Sequence, residues 1–291
     1  MFVATMLTNP ARPTLDAAAV ESLRDAWGGG DARWLAPGEA AEFDLEVTPE
    51  NLWQVWEDLQ ALGIDLTVQK AAGRRRKMLL ADMDSTMIGQ ECIDELADAA
   101  GVGERVKEIT ARAMNGELDF DGALRERVGL MAGLDARIID EVLESRITLA
   151  KGGPALVATM RTNGAHTALV SGGFMAFAVP VAARLGFDDV QANELFSEGG
   201  KLTGKVGEPI LGRAAKVEAL ETITARLGNT TEEVMAVGDG AHDLGMLHAA
   251  GAGVALHAKP AVAAEGDLRI NHGDLTALLY LQGYAKNEFT V

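Results

Sequence analysis

The sequence predicts an α/β protein: a parallel sheet with helices on both faces, an inserted helical cap, and a small N-terminal α+β domain. Three observations carry this prediction. Residues 1–70 alternate in the order β-α-β-β-α-β, whereas from residue 78 apolar strands alternate with helical stretches, the pattern of a parallel sheet. About eighty mostly helical residues separate the first two strands of the second part, more than one crossover needs, and they indicate the cap.

The N-terminal domain, residues 1–70, has clear strand and turn signals. The segments FVATML, ARWLA, EFDLEV and IDLTV read as strands, and LDAAAVESLRDAW reads as the first helix. We expect the second helix to start with Thr48 as N-cap and Pro49 at the first helical position, and Gly63 to mark its C-terminal stop. This order is typical of a ferredoxin-like sandwich, and by pattern it resembles the ACT-type domains attached to amino-acid enzymes.

Residues 71–77, AAGRRRK, are predicted to be a linker between this domain and residues 78–291. Such a charged run usually forms a solvated tether. A second interpretation is that its arginines contact the N-terminal domain, because residues 1–70 carry 4 Lys+Arg against 12 Asp+Glu.

The second part has four strand candidates: KMLLA, HTALV, EEVMAVG and GAGVAL. The cap is expected at about residues 90–150. LFSEGGKLTGKV has a Gly199-Gly200 turn between short polar strands and predicts a hairpin.

Composition excludes several function classes. The net charge of −17 argues against nucleic-acid binding. The apolar runs are too short to span a bilayer, the N-terminus lacks a signal peptide, and the single Cys92 predicts a reducing, cytoplasmic location. Because an acidic surface slows the approach of anions, an anionic substrate must be captured by local cations or a metal.

The stretch LLADMDSTMIGQE places two carboxylates, Asp82 and Asp84, at the end of a buried strand. Residues two apart share one side of a strand, so both can project beyond the sheet edge where ligands bind. Their repulsion is relieved by a hard cation such as Mg²⁺ or by a task for the proton. Ser85 or Thr86 is expected to cap the following helix, whose free N–H groups attract anions. The arrangement suggests phosphoryl transfer, although a lone D-x-D is common.

Three later segments carry further polar side chains after strands or on helices. HTALVSGG ends a strand with a hydroxyl and two glycines, RAAKVEAL holds a lysine among small residues, and VMAVGDGAHDLGML has two aspartates after an apolar strand. Each segment alone has an ordinary structural explanation. The residues concerned are Ser171, Gly172, Lys216, Asp239 and Asp243.

Together and in this order, the four segments resemble the haloacid dehalogenase superfamily, over roughly residues 78–285. Within it, the pattern DxDSTxxxxE ending at Glu91 resembles the phosphoserine phosphatase family. That family's F-x-x-x-L-x-x-R-V is matched by Phe120, Leu124, Arg127 and Val128, and GGFMAF and GGKLTG are also similar. The resemblance implies a Rossmann-like sheet and Mg²⁺-dependent hydrolysis of O-phospho-L-serine, the last step of serine biosynthesis.

By this resemblance, Asp82 is the nucleophile that forms an aspartyl-phosphate. Asp84 would protonate the leaving alkoxide and then deprotonate the attacking water, which requires a raised pKa. Mg²⁺ would be held by Asp82, the backbone carbonyl of Asp84, and Asp239. Asp243 would support the metal site rather than ligate the ion.

The resemblance also implies a binding site for the small-molecule substrate. Arg127 suits the substrate carboxylate and Glu91 its ammonium, and Phe120 is the family's cap aromatic. We expect Glu91 to lie one to two turns into the helix that starts at the phosphate site. The phosphoryl oxygens would be bound by Ser171, the Gly172 amide and Lys216.

One position departs from the family. GDGAHD has His242 where the family has asparagine, and we expect a weak pH dependence of turnover from it. Alternative functions are transfer of the phosphoryl group to another hydroxyl such as homoserine, hydrolysis of another small amino-acid phosphate, or amino-acid sensing with weak catalysis. A homodimer and an amino-acid effector at the N-terminal domain are compatible with the ACT-like pattern.

Overall fold

The computed structural model describes residues 1–114 and 117–290. The N-terminal part forms an antiparallel sheet in the order β2-β3-β1-β4. This is the predicted ferredoxin-like topology. Its elements are β1 (Phe2–Thr8), α1 (Ala17–Trp27), β2 (Arg33–Ala36), β3 (Ala40–Leu45), α2 (Leu52–Gln60) and β4 (Ile64–Lys70).

The start of α2 differs from the prediction. The N-cap is Asn51 rather than Thr48, and Pro49 lies outside the helix. The N–H of Leu52 donates to the carbonyl of Pro49 at 3.2 Å, so a separate turn precedes the helix. The spacing of apolar residues located the helix correctly, but because of this turn the helix begins later in the chain than predicted.

The second part is built on a six-stranded sheet of order β12-β11-β10-β5-β6-β7, with every neighbouring pair parallel. The predicted α/β class and the β8–β9 hairpin are therefore confirmed. The strands β7 and β12 were not predicted, because they are short and carry charged residues. The strands are β5 (Met78–Ala81), β6 (His166–Phe174), β7 (Asp189–Asn193), β8 (Leu195–Glu198), β9 (Lys201–Val206), β10 (Val234–Gly238), β11 (Ala252–Leu256) and β12 (Leu268–Ile270).

Helices cover this sheet, and over the described ranges 1–114 and 117–290 none is long and apolar enough to cross a bilayer. Four of them lie between β5 and α7 and form the cap, whose residues 115 and 116 fall outside the description. The helices are α3 (Cys92–Ala99), α4 (Gly103–Met114), α5 (Phe120–Gly129), α6 (Ile138–Ser145), α7 (Gly153–Thr162), α8 (Met175–Leu185), α9 (Arg213–Arg226), α10 (Leu244–Ala249), α11 (Pro260–Ala263) and α12 (Ala277–Leu281).

The two chain segments that enter and leave the cap run beside each other. Ile88 pairs with Leu149, and the N–H of Gly89 donates to the carbonyl of Thr148 at 3.0 Å. On its other side the cap contacts the β8–β9 hairpin, where the N–H of Leu202 donates to the carbonyl of Leu134 at 2.8 Å. The cap is thus held over the carboxyl ends of the central strands from two sides.

The N-terminal sheet is joined to the second part by buried carboxylates. Asp65 of β4, fully buried, accepts the backbone N–H groups of residues 271–273 at 2.9, 2.9 and 2.7 Å. Glu39 accepts the hydroxyl of Tyr280 at 2.6 Å. Because such buried acceptors need partners, these bonds fix the N-terminal part on the end of the large sheet.

The segment 71–77 is only partly solvated, because Arg74 and Arg76 pack against the protein. Arg74 is only 17% exposed and forms a bidentate pair with the buried Glu42 of β3, at 2.5 and 2.8 Å. Arg76 donates to the backbone carbonyl of Gly251 at 3.0 Å. The expectation of a freely solvated run is therefore wrong at Arg74, and the second interpretation, contact with the acidic N-terminal part, describes it.

Candidate active site

The acidic motif residues lie at one edge of the large sheet. The strands β10, β5 and β6 are neighbours, and the N–H of Asp82 still pairs with the carbonyl of Val237 at 3.0 Å, which extends the β5–β10 ladder by one residue. Asp82 follows β5, Asp239 follows β10, and Ser171 lies near the end of β6. Parallel strands end at the same edge, so these residues face one crevice.

Lys216 connects two carboxylates in this crevice. Its ammonium donates to Asp82 Oδ1 at 2.7 Å and to Asp243 Oδ1 at 2.6 Å, and all three side chains are at most 3% exposed. Burial by itself lowers the pKa of Lys216, but the two carboxylates outweigh burial and raise it, so the lysine is charged. The lysine that sequence alone left ambiguous is therefore a buried counter-ion.

The carboxyl group of Asp84 has a raised pKa. Its carboxylate accepts the backbone N–H of Cys92 at 3.2 Å. Burial, and secondly the charge of Glu91, raise the pKa of Asp84 to about 7. A methyl group placed on Gly173 would lie 2.8 Å from Asp84 Oδ2, so only glycine allows the loop after Ser171 to approach this carboxyl group.

The donor set fits a hard divalent cation. Burial raises the pKa of Asp82, against the opposing charge of Lys216, and raises the pKa of Asp239 to about 6. Together with Asp84 these residues offer carboxylate and carbonyl oxygens, the ligand type that Mg²⁺ prefers, although the Lys216 ammonium already bonds Asp82. Asp239 is held by the hydroxyl of Thr86, which donates to its Oδ1 at 3.2 Å.

Three potential ligand residues, one of them Asp82, lie close together. Ligand atoms of Asp82, His242 and Asp243 lie within 4.8 Å of one another. The Lys216 ammonium bonds both aspartates of this group and fills the space between them. A cation placed there would be repelled by that ammonium.

Glu91 has a different position from the one expected. It is the N-cap residue of α3 and precedes the helix, rather than lying one to two turns within it. Neither Ser85 nor Thr86 caps a helix, because the N–H groups of Thr86, Met87 and Ile88 converge on the carbonyl of Met83 in a turn. Ser85 instead donates its hydroxyl to Glu91 Oε1 at 2.7 Å.

Two cap residues close the crevice. Phe120, the first residue of α5, lies over the glycines of the core, since a methyl group on Gly172 or Gly212 would come within 3.2 Å of its ring. Its ring centroid is 6.2 Å from that of His242. Arg127, on the same helix, donates Nε to its own helix at the Ala123 carbonyl, 3.2 Å away, which leaves its NH1 and NH2 groups for other partners.

The polarity of the remaining residues suits an anionic ligand. Ser171, 1% exposed, accepts the N–H of Gly173 at 2.9 Å, so its own hydroxyl hydrogen is available to donate. Partial desolvation and then the Lys216 charge lower the pKa of His242, which keeps the imidazole neutral at pH 7. A neutral imidazole supplies one N–H donor in place of the family's asparagine.

Several polar residues of the site were not identified from sequence. The sequence predicts Ser85 or Thr86 as a helix cap, whereas in the structure the hydroxyls of both donate to acidic side chains of the site. Their signal was present, since they adjoin the D-x-D pair. Asn193 gave no signal, because its strand, β7, was not predicted.

Comparison with protein families gives one domain-wide match. Residues 79–248 match the model of the haloacid dehalogenase-like hydrolases. A phosphoserine phosphatase from Streptomyces coelicolor is 41% identical over 230 residues, which cover 78% of this chain and 56% of that protein. The chain thus spans about half the length of that relative.

Solved structures agree with the fold. A HAD family hydrolase from Salmonella enterica serovar Typhi superposes with a TM-score of 0.87 at 29% identity, covering 97% of this chain and 98% of that one. A phosphoserine phosphatase solved as a phospho-aspartyl intermediate analogue has a TM-score of 0.66 at 40% identity, covering 70% of this chain and 98% of that one. The first match includes the N-terminal part, whereas the second corresponds to a smaller share of the chain.

Proposed function

Because the chain belongs to the haloacid dehalogenase-like hydrolase family, we propose that it is an Mg²⁺-dependent phosphatase that hydrolyses O-phospho-L-serine to L-serine and phosphate. The observation that carries the proposal is a combination of charges. Asp82 bonds the Lys216 ammonium, Asp84 and the Ser171 hydroxyl both lie beside Gly173, and Glu91 and Arg127 offer opposite charges nearby. An ammonium, a carboxylate and a phosphate on one small molecule match this set.

In the first step, Asp82 attacks phosphorus and the bond from phosphorus to the serine oxygen breaks. Asp84 gives its proton to that oxygen, and serine leaves. In the second step, Asp84 takes a proton from water, whose oxygen displaces Asp82 from phosphorus. A pKa of about 7 suits Asp84 to both roles, because the carboxyl group can give and take a proton near neutral pH.

Binding of the phosphoryl group falls to the residues of the crevice. The Ser171 hydroxyl, the Gly172 amide and the Lys216 ammonium would contact its oxygens, and His242 would add one N–H. Asp243 holds Lys216 in place at 2.6 Å. Mg²⁺ would be held by Asp82, the carbonyl of Asp84, and Asp239, and when bound it neutralises charge on the phosphoryl oxygens.

The cap supplies recognition of the amino acid. Arg127 can bind the carboxylate, and Glu91, held by Ser85, can bind the ammonium. Phe120 covers Gly172 and Gly212 and so keeps water out of the crevice.

We further propose that residues 1–70 form a domain of their own, joined by residues 71–77 to the catalytic residues 78–291. A separate apolar cluster under α1 and α2 supports this division. The ferredoxin-like topology supports an amino-acid effector or a homodimer contact on this domain, where β2 forms a sheet edge. The single cysteine supports a cytoplasmic location.

The deciding experiment is phosphate release from O-phospho-L-serine, with and without Mg²⁺, by the wild type, Asp82→Asn and the control Asp31→Asn. Asp31 is exposed in the loop before β2. We expect Mg²⁺-dependent release that Asp82→Asn abolishes and Asp31→Asn keeps. Persistent turnover by Asp82→Asn would falsify the covalent mechanism.

A panel of acceptors and ligands separates the alternatives. Formation of phosphohomoserine in the presence of homoserine would indicate a phosphotransferase. Binding of serine without phosphate release would indicate an amino-acid sensor.

A further inference from the structure

The segment that carries Ser171 leaves the sheet ladder. In the β6–β7 pairing Val170 lies opposite Gln191, and the next pair is Phe174 with Asn193. Residues 171–173 therefore face a single residue of β7, and they form a bulge. The backbone groups of this bulge need partners other than the ladder.

The side chain of Asn193 is one of the hydrogen-bond partners of this bulge. Its Nδ2 donates to the carbonyl of Gly172 at 2.9 Å and to that of Leu211 at 3.2 Å, while its Oδ1 accepts the N–H of Leu211 at 2.6 Å. The residue is 3% exposed. Both amide hydrogens and the oxygen are thus used on backbone groups of two different loops.

The bond to Gly172 reaches Ser171 through one peptide plane. The Gly172–Gly173 bond is trans, so its carbonyl and its N–H point in opposite directions. The carbonyl is held by Asn193, and the N–H donates to Ser171 Oγ at 2.9 Å. With its acceptor side occupied in this way, the Ser171 hydroxyl is set to donate its hydrogen into the crevice.

The hydrogen bonds between Asn193 and Leu211 connect Asn193 to the helix that carries Lys216. Leu211 precedes Gly212, the N-cap residue of α9, and the N–H of Lys216 donates to the Gly212 carbonyl at 3.3 Å. One buried side chain therefore ties the bulge of Ser171 to the first turn of the helix that carries Lys216.

We propose that Asn193 is a positioning residue for phosphoryl binding: it fixes the Gly172–Gly173 peptide plane and thereby aims the Ser171 hydroxyl at the phosphoryl oxygen. The inference rests on the proposed phosphatase function, in which Ser171 contacts that oxygen. Asn193 itself touches backbone, so it acts through Ser171.

The test is a double-mutant cycle with Asn193→Asp and Ser171→Ala. The aspartate keeps the acceptor for Leu211 but loses both N–H donors and opposes two carbonyl groups with a charge. We expect a loss in kcat/KM of about 30-fold for Asn193→Asp and about 100-fold for Ser171→Ala. Because Asn193 acts through Ser171, the double variant should lie within about threefold of Ser171→Ala alone.

A purely structural defect gives a different pattern. In that case the fold-losses in kcat/KM of the two single variants would multiply in the double variant. A double variant with the full product of the two losses overturns the proposal. An Asn193→Asp enzyme within about twofold of wild type overturns it also. The matched control is Asn163→Asp, which removes an amide-to-carbonyl bond at the exposed end of α7, 2.9 Å to Thr159, and should keep full activity.

The same double-mutant cycle can be measured by ligand binding instead of by catalysis. Affinity for inorganic phosphate, measured by calorimetry, should fall in Asn193→Asp and should fall no further when Asn193→Asp is added to Ser171→Ala. If Asn193→Asp does not fold, Asn193→Ser, which retains a small donor, takes its place in both cycles.

Failure of the proposed function is distinguishable from failure of this inference. A wild type that ignores phosphoserine but cleaves p-nitrophenyl phosphate refutes the substrate only, and the cycle is then run on that ester. A wild type that cleaves neither refutes the phosphatase, and non-additive phosphate binding would still support the role of Asn193.

Discussion

The Lys216 ammonium donates to Asp82 at 2.7 Å in a place where neither side chain exceeds 3% exposure. The ammonium opposes the rise in the pKa of Asp82 that burial causes, and so favours the ionised carboxylate that the proposed mechanism uses as its nucleophile. The relationship makes the lysine necessary for charge balance, in addition to the phosphate binding proposed for it.

Replacing this lysine should therefore affect activity and stability together. We expect Lys216→Met to lower kcat/KM by at least about 10³-fold. The variant should also unfold more easily by roughly 3–5 kcal/mol, because Asp82 and Asp243 lose their shared counter-ion. Phosphate release and urea denaturation measure the two effects. Lys205→Met, at an exposed position of β9, is the control and should change neither.

The roles of the charged residues Glu91 and Arg127 should be distinguishable with substrates that lack one charged group. We expect Glu91→Gln to raise KM for phosphoserine and for phosphoethanolamine by about tenfold or more, since both carry an ammonium. The KM for phosphoglycolate, which has a carboxylate and no ammonium, should stay unchanged, even though kcat can change for all three substrates because Glu91 also raises the pKa of Asp84. An equal rise in KM for all three substrates would show that Glu91 does not act on the ammonium.

Arg127→Lys should give the complementary pattern. A lysine keeps the charge but cannot bind a carboxylate bidentately, so KM for phosphoserine and phosphoglycolate should rise, again by about tenfold. Phosphoethanolamine, which has no carboxylate, should be unaffected. If phosphoethanolamine loses as much as phosphoserine, the carboxylate assignment of Arg127 is wrong.

The junction between the two parts of the chain should depend on Asp65. Asp65→Ala leaves the N–H groups of residues 271–273 without their acceptor, and we expect a loss of roughly 3–5 kcal/mol in the free energy of unfolding. Hydrogen exchange at those amides should accelerate. Thr67→Val is the matched control on β4, because the Thr67 hydroxyl is buried and has no hydrogen-bond partner among the described residues; it should be neutral or stabilising.

Asp188 predicts an acid-dependent loss of stability. Burial alone raises its pKa, but the N–H and hydroxyl of Thr167, both at 3.0 Å, and the Arg161 guanidinium outweigh burial and lower it. A pKa lowered in the folded state stabilises the fold above the unfolded value of about 3.9 and ceases to do so as pH falls through the folded value.

The difference in unfolding free energy between wild type and Asp188→Asn should therefore be constant from about pH 7 to pH 5 and shrink below about pH 4. Denaturation at a series of pH values measures it. A difference that stays the same at acidic pH would mean that packing, not charge, accounts for the effect of Asp188.

The sequence alone determined the class of fold and proposed most of the side chains at the crevice. The spacing of apolar residues is a local property of the sequence. It located β5, β6, β10 and β11 and the ferredoxin-like order of residues 1–70. The acidic and glycine-rich segments after those strands identified the side chains at one sheet edge, because parallel strands must end together. The short, charged strands β7 and β12 escaped this reasoning, since only their neighbours in the sheet make them strands.

Tertiary structure alone decided how those side chains are paired. That Lys216 reaches both Asp82 and Asp243, that Ser85 faces Glu91, and that Asp65 accepts three amides from the far end of the chain depends on contacts between residues distant in sequence or across a turn. The helical spacing of apolar residues shows which face of a helix is buried, but it does not show which element that face packs against. The charge state of a buried group is set by the partners that folding brings to it, and those partners exist only when the chain has closed around them.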